Sequence, residues 1–358
     1  MHREILLALL TLAGCRPPLP PGVERITNAP DAQAFAWSPT SRRLAYIEGR
    51  FPDRTYLVVF DRSSGAEMRR RLKGFVLGGA AALSRDGCRV LLEAGKIGRF
   101  ASRSEPTDRV VLVVDANSGR VLSEHPITGI VALGHPAWSP DPIAVWNGME
   151  GIRWKAFSPY GSVGGILHGP AAWEALLLDE PYLIVAEKQT GRPRLAAYDL
   201  LVNRRIVEWR VALTGALLAL RTDGTALSAR WMPETGRFVL ESNDPKTGRR
   251  VPLLEAEGEI ESALETNRGL YAIAKDPTRR NATGKDFLAP RVLLVVESGG
   301  QRWRAPWTSH RGRFLGTDPA DGRLLFAVTD RDEPAAWMIA PTRSALAAAG
   351  SAIDGKVK

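Results

Sequence analysis

The sequence predicts an all-β fold, a seven-bladed β-propeller with four antiparallel strands per blade, with six or eight blades as the alternatives. Three observations point there. A hairpin unit recurs along the whole chain at a spacing of 40 to 55 residues, which falls in the range of propeller blades. The 34 glycines and 25 prolines fall between short apolar runs, a pattern of many turns rather than long helices. Those runs also lack the 3.6-residue apolar period that a helical solenoid would show. With 44% apolar and 24% charged residues over 358 positions, the chain has ample material for a core.

The first fifteen residues, "MHREILLALLTLAGC", read as an address. Arg3 precedes an apolar run from Ile5 to Ala13, too short for a bilayer-spanning helix of about 20 residues. It suits the hydrophobic part of a cleaved secretory signal. The ending Leu12-Ala13-Gly14-Cys15 resembles the lipobox of bacterial lipoproteins, although Glu4 departs from a purely basic start. The resemblance implies acylation of Cys15, which then becomes the N-terminus. Arg16, where an aspartate would signal inner-membrane retention, implies the outer membrane facing the periplasm. Residues 16–22, "RPPLPPG", read as a stiff extended spacer. The propeller is expected over 23–343, followed by a C-terminal tail at 344–358.

The run "VERIT" (Val23 to Thr27) is apolar at alternate positions and belongs to no hairpin. The last repeat supplies only three strand-like runs, so Val23 to Thr27 is expected to complete the seventh blade as its outer strand. That would cover an edge otherwise open to pairing.

The first hairpin is "AFAWSPTSRRLAYIEG", followed by "AALSRDGCRVLLEAG" and "PAWSPDPIAVWNG". Weaker copies turn at Asp179, Thr222, Thr266 and Thr317, after Ser38, Ser84 and Ser139 in the first three. Further strands fill each gap, joined by "DRSSG", "DANSG" and "DPKTG", the expected hairpin chemistry. The first three copies resemble the Trp-Ser-Pro-Asp-Gly-Lys turn of TolB-type propeller repeats. The resemblance spans Gln33 to Pro341 and is sharp only in those copies, with Thr40 standing in place of the aspartate in the first. It implies a role in envelope assemblies.

Net charge is +9, so the surface attracts anions. An envelope address removes nucleic acid from the expected partners and leaves acidic glycans, lipids and proteins. Cys15 belongs to the address, so Cys88 has no partner for a disulfide. No Cys-x-x-Cys or paired-histidine spacing occurs, and His2, His125, His135, His168 and His310 are dispersed, so neither a metal nor a cofactor is expected. Nucleophile-elbow, phosphate-loop and dinucleotide-turn motifs are absent. Asp61, Asp115 and Asp244 sit in equivalent turns, where aspartates close local hydrogen bonds. Most of the ten tryptophans lie inside strand-like runs and are expected to pack between blades. Trp303 and Trp307, beside Arg302 and Arg304, are the least core-like.

Function is expected in the connections between second and third strands, which share one face of a propeller. Three are long or basic: Gly49 to Arg54, Gly95 to Asp108 and Asp276 to Pro290. They belong to blades one, two and six. The candidate binding residues on them are Arg50, Phe51, Arg54, Arg99, Phe100, Arg103, Arg279, Arg280, Lys285 and Phe287. Arginine beside an exposed aromatic is a favoured interface anchor. The reading is a lipid-anchored, non-enzymatic propeller that binds an envelope protein or peptide and reaches the membrane through its N-terminal lipid. The alternatives are a propeller enzyme, either a metal-dependent polysaccharide lyase or a hydrolase, and a binder of acidic glycan or lipid. Histidines gathered at one channel mouth would favour the enzyme.

Overall fold

Each apolar run expected to begin a repeat forms the first strand of a four-stranded antiparallel sheet. The computed structural model describes residues 18–27, 32–49, 55–96, 108–127, 131–134, 141–148, 151–158, 161–167, 173–179, 182–187, 194–199, 204–212, 217–220, 225–244, 246–278, 290–328 and 334–354. The chain enters through β1 (Val23–Arg25). Sheet one follows as β2 (Gln33–Ser38), β3 (Arg43–Glu48), β4 (Tyr56–Asp61) and β5 (Glu67–Arg71). Sheet two is β6 (Phe75–Leu83), β7 (Arg89–Lys96), β8 (Asp108–Asp115) and β9 (Val121–Pro126). Sheet three is β10 (Val131–Gly134), β11 (Ile143–Gly148), β12 (Gly151–Ser158) and β13 (Gly161–Leu167). Sheet four is β14 (Trp173–Asp179), β15 (Tyr182–Glu187), β16 (Arg194–Asp199) and β17 (Arg204–Ala212). Sheet five is β18 (Leu217–Leu220), β19 (Ala226–Met232), β20 (Arg237–Asn243) and β21 (Arg250–Ala256). Sheet six is β22 (Ile260–Thr266), β23 (Gly269–Lys275), β24 (Arg291–Glu297) and β25 (Arg302–Trp307). The last strands are β26 (Gly312–Thr317), β27 (Leu324–Val328) and β28 (Ala335–Ile339).

The fold is a β-propeller. Among the described residues the strands form seven such sheets. Their innermost strands touch in sequence, and β26 returns to β2, so the ring is closed. Six of the seven innermost pairs carry a register shift, for example between Gln33 and Ala36 and between Leu77 and Ala81. A bulge there sharpens the local twist, which lets a sheet stand radially from a crowded hub. Ala34, inside the first of these bulges, takes a φ of +52°.

The core is distributed between the sheets. Phe35, Leu44, Tyr46 and Val58 of sheet one pack on Leu325, Ala327, Ala336 and Met338 of sheet seven. Separate clusters join sheets one and two, two and three, three and four, five and six, and six and seven. Most described tryptophans serve this packing. Trp154, Trp307 and Trp337 are buried, and the Trp37 indole donates to the Thr317 carbonyl across the seam at 3.1 Å.

The seventh sheet is completed by β1, whose Val23, Glu24 and Arg25 lie opposite Ile339, Met338 and Trp337. The outer strand comes from the chain's beginning and the other three from its end. Over its described residues, the expected tail at 344–358 is instead part of a packed helix. Thr342 caps an 11-residue helix, α1 (Arg343–Ile353), by accepting from the Ala345 N–H. Ala345, Ala349 and Ala352, with Leu346 and Ile353, recur at helical spacing and bury against sheet seven and β25. Gly350 rides so close that a Cβ would fall 2.9 Å from the Trp307 backbone.

Asp61, Asp115, Asp244 and also Asp318 close turns that are four residues long. In each, the aspartate carbonyl accepts at 2.8 Å from the N–H of a glycine four residues on, Gly65, Gly119, Gly248 or Gly322. All four glycines have positive φ. Asp318 differs in burial, with its side chain fully shielded beneath Arg42 and Arg62. Arg42 holds both its oxygens at 2.8 Å, and Arg62 Nε adds a bond of 2.6 Å. Burial alone would raise its pKa, but Arg42, the Ala320 N–H and Arg62 together hold the carboxyl below the ordinary range. The other three are also depressed by local hydrogen bonds.

Asp318→Ala is therefore expected to lower stability by about 3 kcal/mol, the cost of breaking a buried pair from one side, with Asp318→Asn losing less. Urea unfolding measures both. Carboxyls with depressed folded pKa values stabilise the fold fully above their unfolded value. That contribution is lost as the pH falls through the folded values. Stability should accordingly hold through neutral pH and fall steeply below about pH 4, less steeply in Asp318→Ala.

Candidate functional site

The three long connections leave one face of the ring from strand ends that the structure describes. They join Glu48 to Tyr56, Lys96 to Asp108 and Lys275 to Arg291, each of which is a cross-strand pair. All ten candidate binding residues, Arg50, Phe51, Arg54, Arg99, Phe100, Arg103, Arg279, Arg280, Lys285 and Phe287, lie outside the described residues, as do Cys15, His135 and His168. The roots of the loops are described, and each is held by an ion pair.

On sheet one, the buried Glu48 pairs with Arg69 at 2.7 Å and accepts from the Tyr46 hydroxyl. Arg69 in turn lies 4.4 Å over the Tyr56 ring, a cation–π contact. Burial pushes the Glu48 carboxyl up against the opposing pull of Arg69, and it pushes the Tyr46 phenol up as well. On sheet two, Lys96 pairs with Glu124 at 2.6 Å, and Arg109 pairs with Glu93. On sheet six, Lys275 pairs with Glu259 at 2.7 Å, and Asp276 accepts from the Thr278 hydroxyl at 2.5 Å. A groove of about 430 Å³ opens beside this third root, between sheets five and six. Arg237, Glu255, Glu257, Lys275, Asp276 and Arg304 line it with both signs of charge. Sheets six, seven, one and two are consecutive around the ring, so the three roots share one sector.

The sequence marked these loops by length and composition but missed their roots. Glu48 was readable only as the end of a strand. Its burial follows from Tyr46 and Arg69, and Arg69 arrives from a strand two removed in the sheet.

The described histidines do not converge. His125 sits between sheets two and three against Phe157 and Lys155, where burial and the lysine lower its pKa. His310 follows β25 beside Thr308. Among the described residues no three His, Cys, Asp or Glu side chains group as a metal site. Trp303 and Trp307 part company: the indole of Trp303 donates to Glu297 at 2.8 Å beneath Arg343, while Trp307 is core. Cys88 is an exposed free thiol in the β6–β7 turn, raised in pKa by partial burial and by Asp86.

No family model matches the sequence, and no curated protein does. Solved structures do. A chain of the mitotic checkpoint complex is 12% identical over 91% of this chain and 97% of that one, with a TM-score of 0.57. Pyrococcus horikoshii acylaminoacyl peptidase is 10% identical over 83% of this chain, with a TM-score of 0.54, and this chain spans 50% of its length. TolB from Acinetobacter baumannii is 16% identical over 64% of this chain and 56% of that one, with a TM-score of 0.42. The first two likenesses show the propeller fold.

Arg69→Ala strips a buried carboxylate of its cation and is expected to cost about 1–3 kcal/mol at neutral pH. Adding Glu48→Gln should recover most of the loss, as read by thermal unfolding. A carboxyl raised in the folded state costs stability as the pH climbs through its titration, so the Arg69→Ala defect should shrink toward acid pH. Cys88 should alkylate with iodoacetamide at neutral pH more slowly than a small free thiol, because less of it is thiolate.

Proposed function

We propose that this chain is a lipid-anchored, non-enzymatic propeller of the TolB type that binds an envelope protein or peptide through its loop-bearing face. The observation that carries the reading is the sector of roots. Three long connections, each joining arginine or lysine to phenylalanine, spring from blades six, one and two on ion-paired strand ends within one sector of the ring. Loops set on one face of a rigid repeat scaffold are the usual binding side. The opposite face is occupied by turns whose charged groups already pair with one another.

The Leu-Ala-Gly-Cys ending at Cys15 supports the anchor, the Trp-Ser-Pro turns support the TolB-type repeat, and Arg16 supports the outer membrane facing the periplasm. Among the described residues no helix is long and apolar enough to cross a membrane.

Mild crosslinking in intact envelopes, followed by mass spectrometry, should capture one dominant protein partner. Joint charge reversal of Arg50, Arg99 and Arg280 should lose it, and an unchanged crosslinked set would remove the loop face from the reading. Radiolabelled palmitate should enter the wild-type chain and not Cys15→Ser.

A further inference from the structure

A second groove, of about 510 Å³, lies on the outer rim between sheets one and two. Its charged lining is Arg69, Arg70 and Arg71 of β5, with Lys73, and Arg120 from the neighbouring sheet. It holds no acid. Leu72, Gly119 and Val121 complete the wall. All five cations are exposed, and only Arg69 has an ion-pair partner among the described residues.

This is unusual within the molecule. Arg42, Arg62, Arg89, Arg230, Arg291 and Arg323 are each held by a carboxylate. The rim groove between sheets five and six has the same architecture and alternates in sign. Charged side chains on an outer strand discourage edge-to-edge pairing, but mixed charges do that equally well. Edge protection therefore does not explain a groove of one sign.

The groove is also built. Gly119 has φ +67°, and a Cβ there would fall 2.4 Å from Arg70 Cβ. The Arg70 stem is seated against the β8–β9 turn, which draws Arg120 beside the β5 arginines across two blades.

We propose that this groove docks the propeller onto the phosphate groups of an anionic membrane surface. The proposal rests on the reading of Cys15 as the lipid anchor. Even at the fully extended limit of about 3.1 Å per residue, residues 16–22 would hold β1 within about 22 Å of the lipid, and the turn in which the Pro20 carbonyl accepts from the Val23 N–H shortens that reach. β1 is the outer strand of sheet seven, and β5 is the outer strand of the next sheet around the ring. The tether thus delivers this part of the rim, rather than the loop face, to the headgroups. Clustered cations at a membrane surface act over about one Debye length, some 8 Å at physiological salt.

The test uses the full chain carrying Cys15→Ser and sedimentation with phosphatidylcholine vesicles, with and without phosphatidylglycerol. The apolar segment 5–13 contributes alike to both lipids, so the readout is their difference. Phosphatidylglycerol should tighten binding at least tenfold, with the gain lost at high salt. Neutralising Arg70, Arg71, Lys73 and Arg120 to glutamine one at a time should cost about fivefold each. Arg70→Glu/Arg71→Glu/Arg120→Glu should abolish the lipid difference with unchanged thermal unfolding. A folded triple variant that still prefers phosphatidylglycerol overturns the proposal. So does capture of polyglutamate without vesicle selectivity, which assigns the groove to acidic polypeptides. Retained selectivity in a chain that takes up no palmitate upholds the groove and overturns the anchor alone.

Discussion

The propeller depends on one seam. Six sheets are each continuous in sequence, but the seventh takes β1 from one end of the chain and β26 to β28 from the other. Bringing together segments some 300 residues apart costs on the order of 5 kcal/mol in loop-closure entropy. A three-residue ladder, at about 1 kcal/mol per hydrogen bond, falls short of that cost. The rest comes from side chains. Glu24 of β1 receives Arg62 from sheet one and Arg323 from sheet seven, while Arg62 also holds the buried Asp318. Beneath these pairs lies the apolar cluster that sheets one and seven share. The closing strand is thus tied to both blades that flank the seam.

The adjacent arginines of the first turn show how the rest of that face is stapled. Arg42 turns back to Asp318 of sheet seven, while Arg43 reaches forward to the Gly87 carbonyl and Asn117 of sheet two. Two consecutive side chains clamp opposite neighbours because Arg42 takes a left-handed φ of +54°, a conformation costly to a residue with a Cβ. The bidentate ion pair holds it there. Arg89, at the position in sheet two equivalent to Arg43, repeats the forward reach to Asp141 and the Phe157 carbonyl. A face whose charges are spent in this way has little left for a ligand. The long connections are consequently found on the other side, where lengthening a loop disturbs no staple.

What the sequence made legible was local. The Trp-Ser-Pro turns, the Asp-to-Gly turn spacing and the alternation in "VERIT" each lie within a few residues, and the strands form where these patterns place them. Partners distant in the chain were not legible. "SRR" reads as a basic pair, and nothing in it discloses that Asp318, 276 residues away, receives one of the two. "EMRRR" reads as a charged outer strand, and its meaning changes only when Arg120 of the next blade arrives beside it. The helix was overlooked for a different reason. Its alanines are too weakly apolar to mark a face until Trp307 and β1 supply something to bury against. The candidate loop residues were readable by composition alone, and only their roots belong to the described residues.

The same helix also braces the seam where the chain enters it. Gly22, with φ +81°, leaves a gap in which an added Cβ would meet Ala340 and Ala345 at 3.0 Å. Its carbonyl accepts from the Ala340 N–H at 2.7 Å, while the Pro20 carbonyl receives Val23 at 3.0 Å. The chain is therefore gripped between β28 and α1 at the point where β1 begins. Val23 enters the same cluster as Leu346 and Ile353, so α1 packs against the buried face of β1. Without the helix, three residues of ladder alone would hold β1 to the sheet. With α1 in place, the packed core of sheets six and seven holds the strand as well. Closing the ring and fixing the start of the propeller are thereby the work of one structure, a short strand held from both sides.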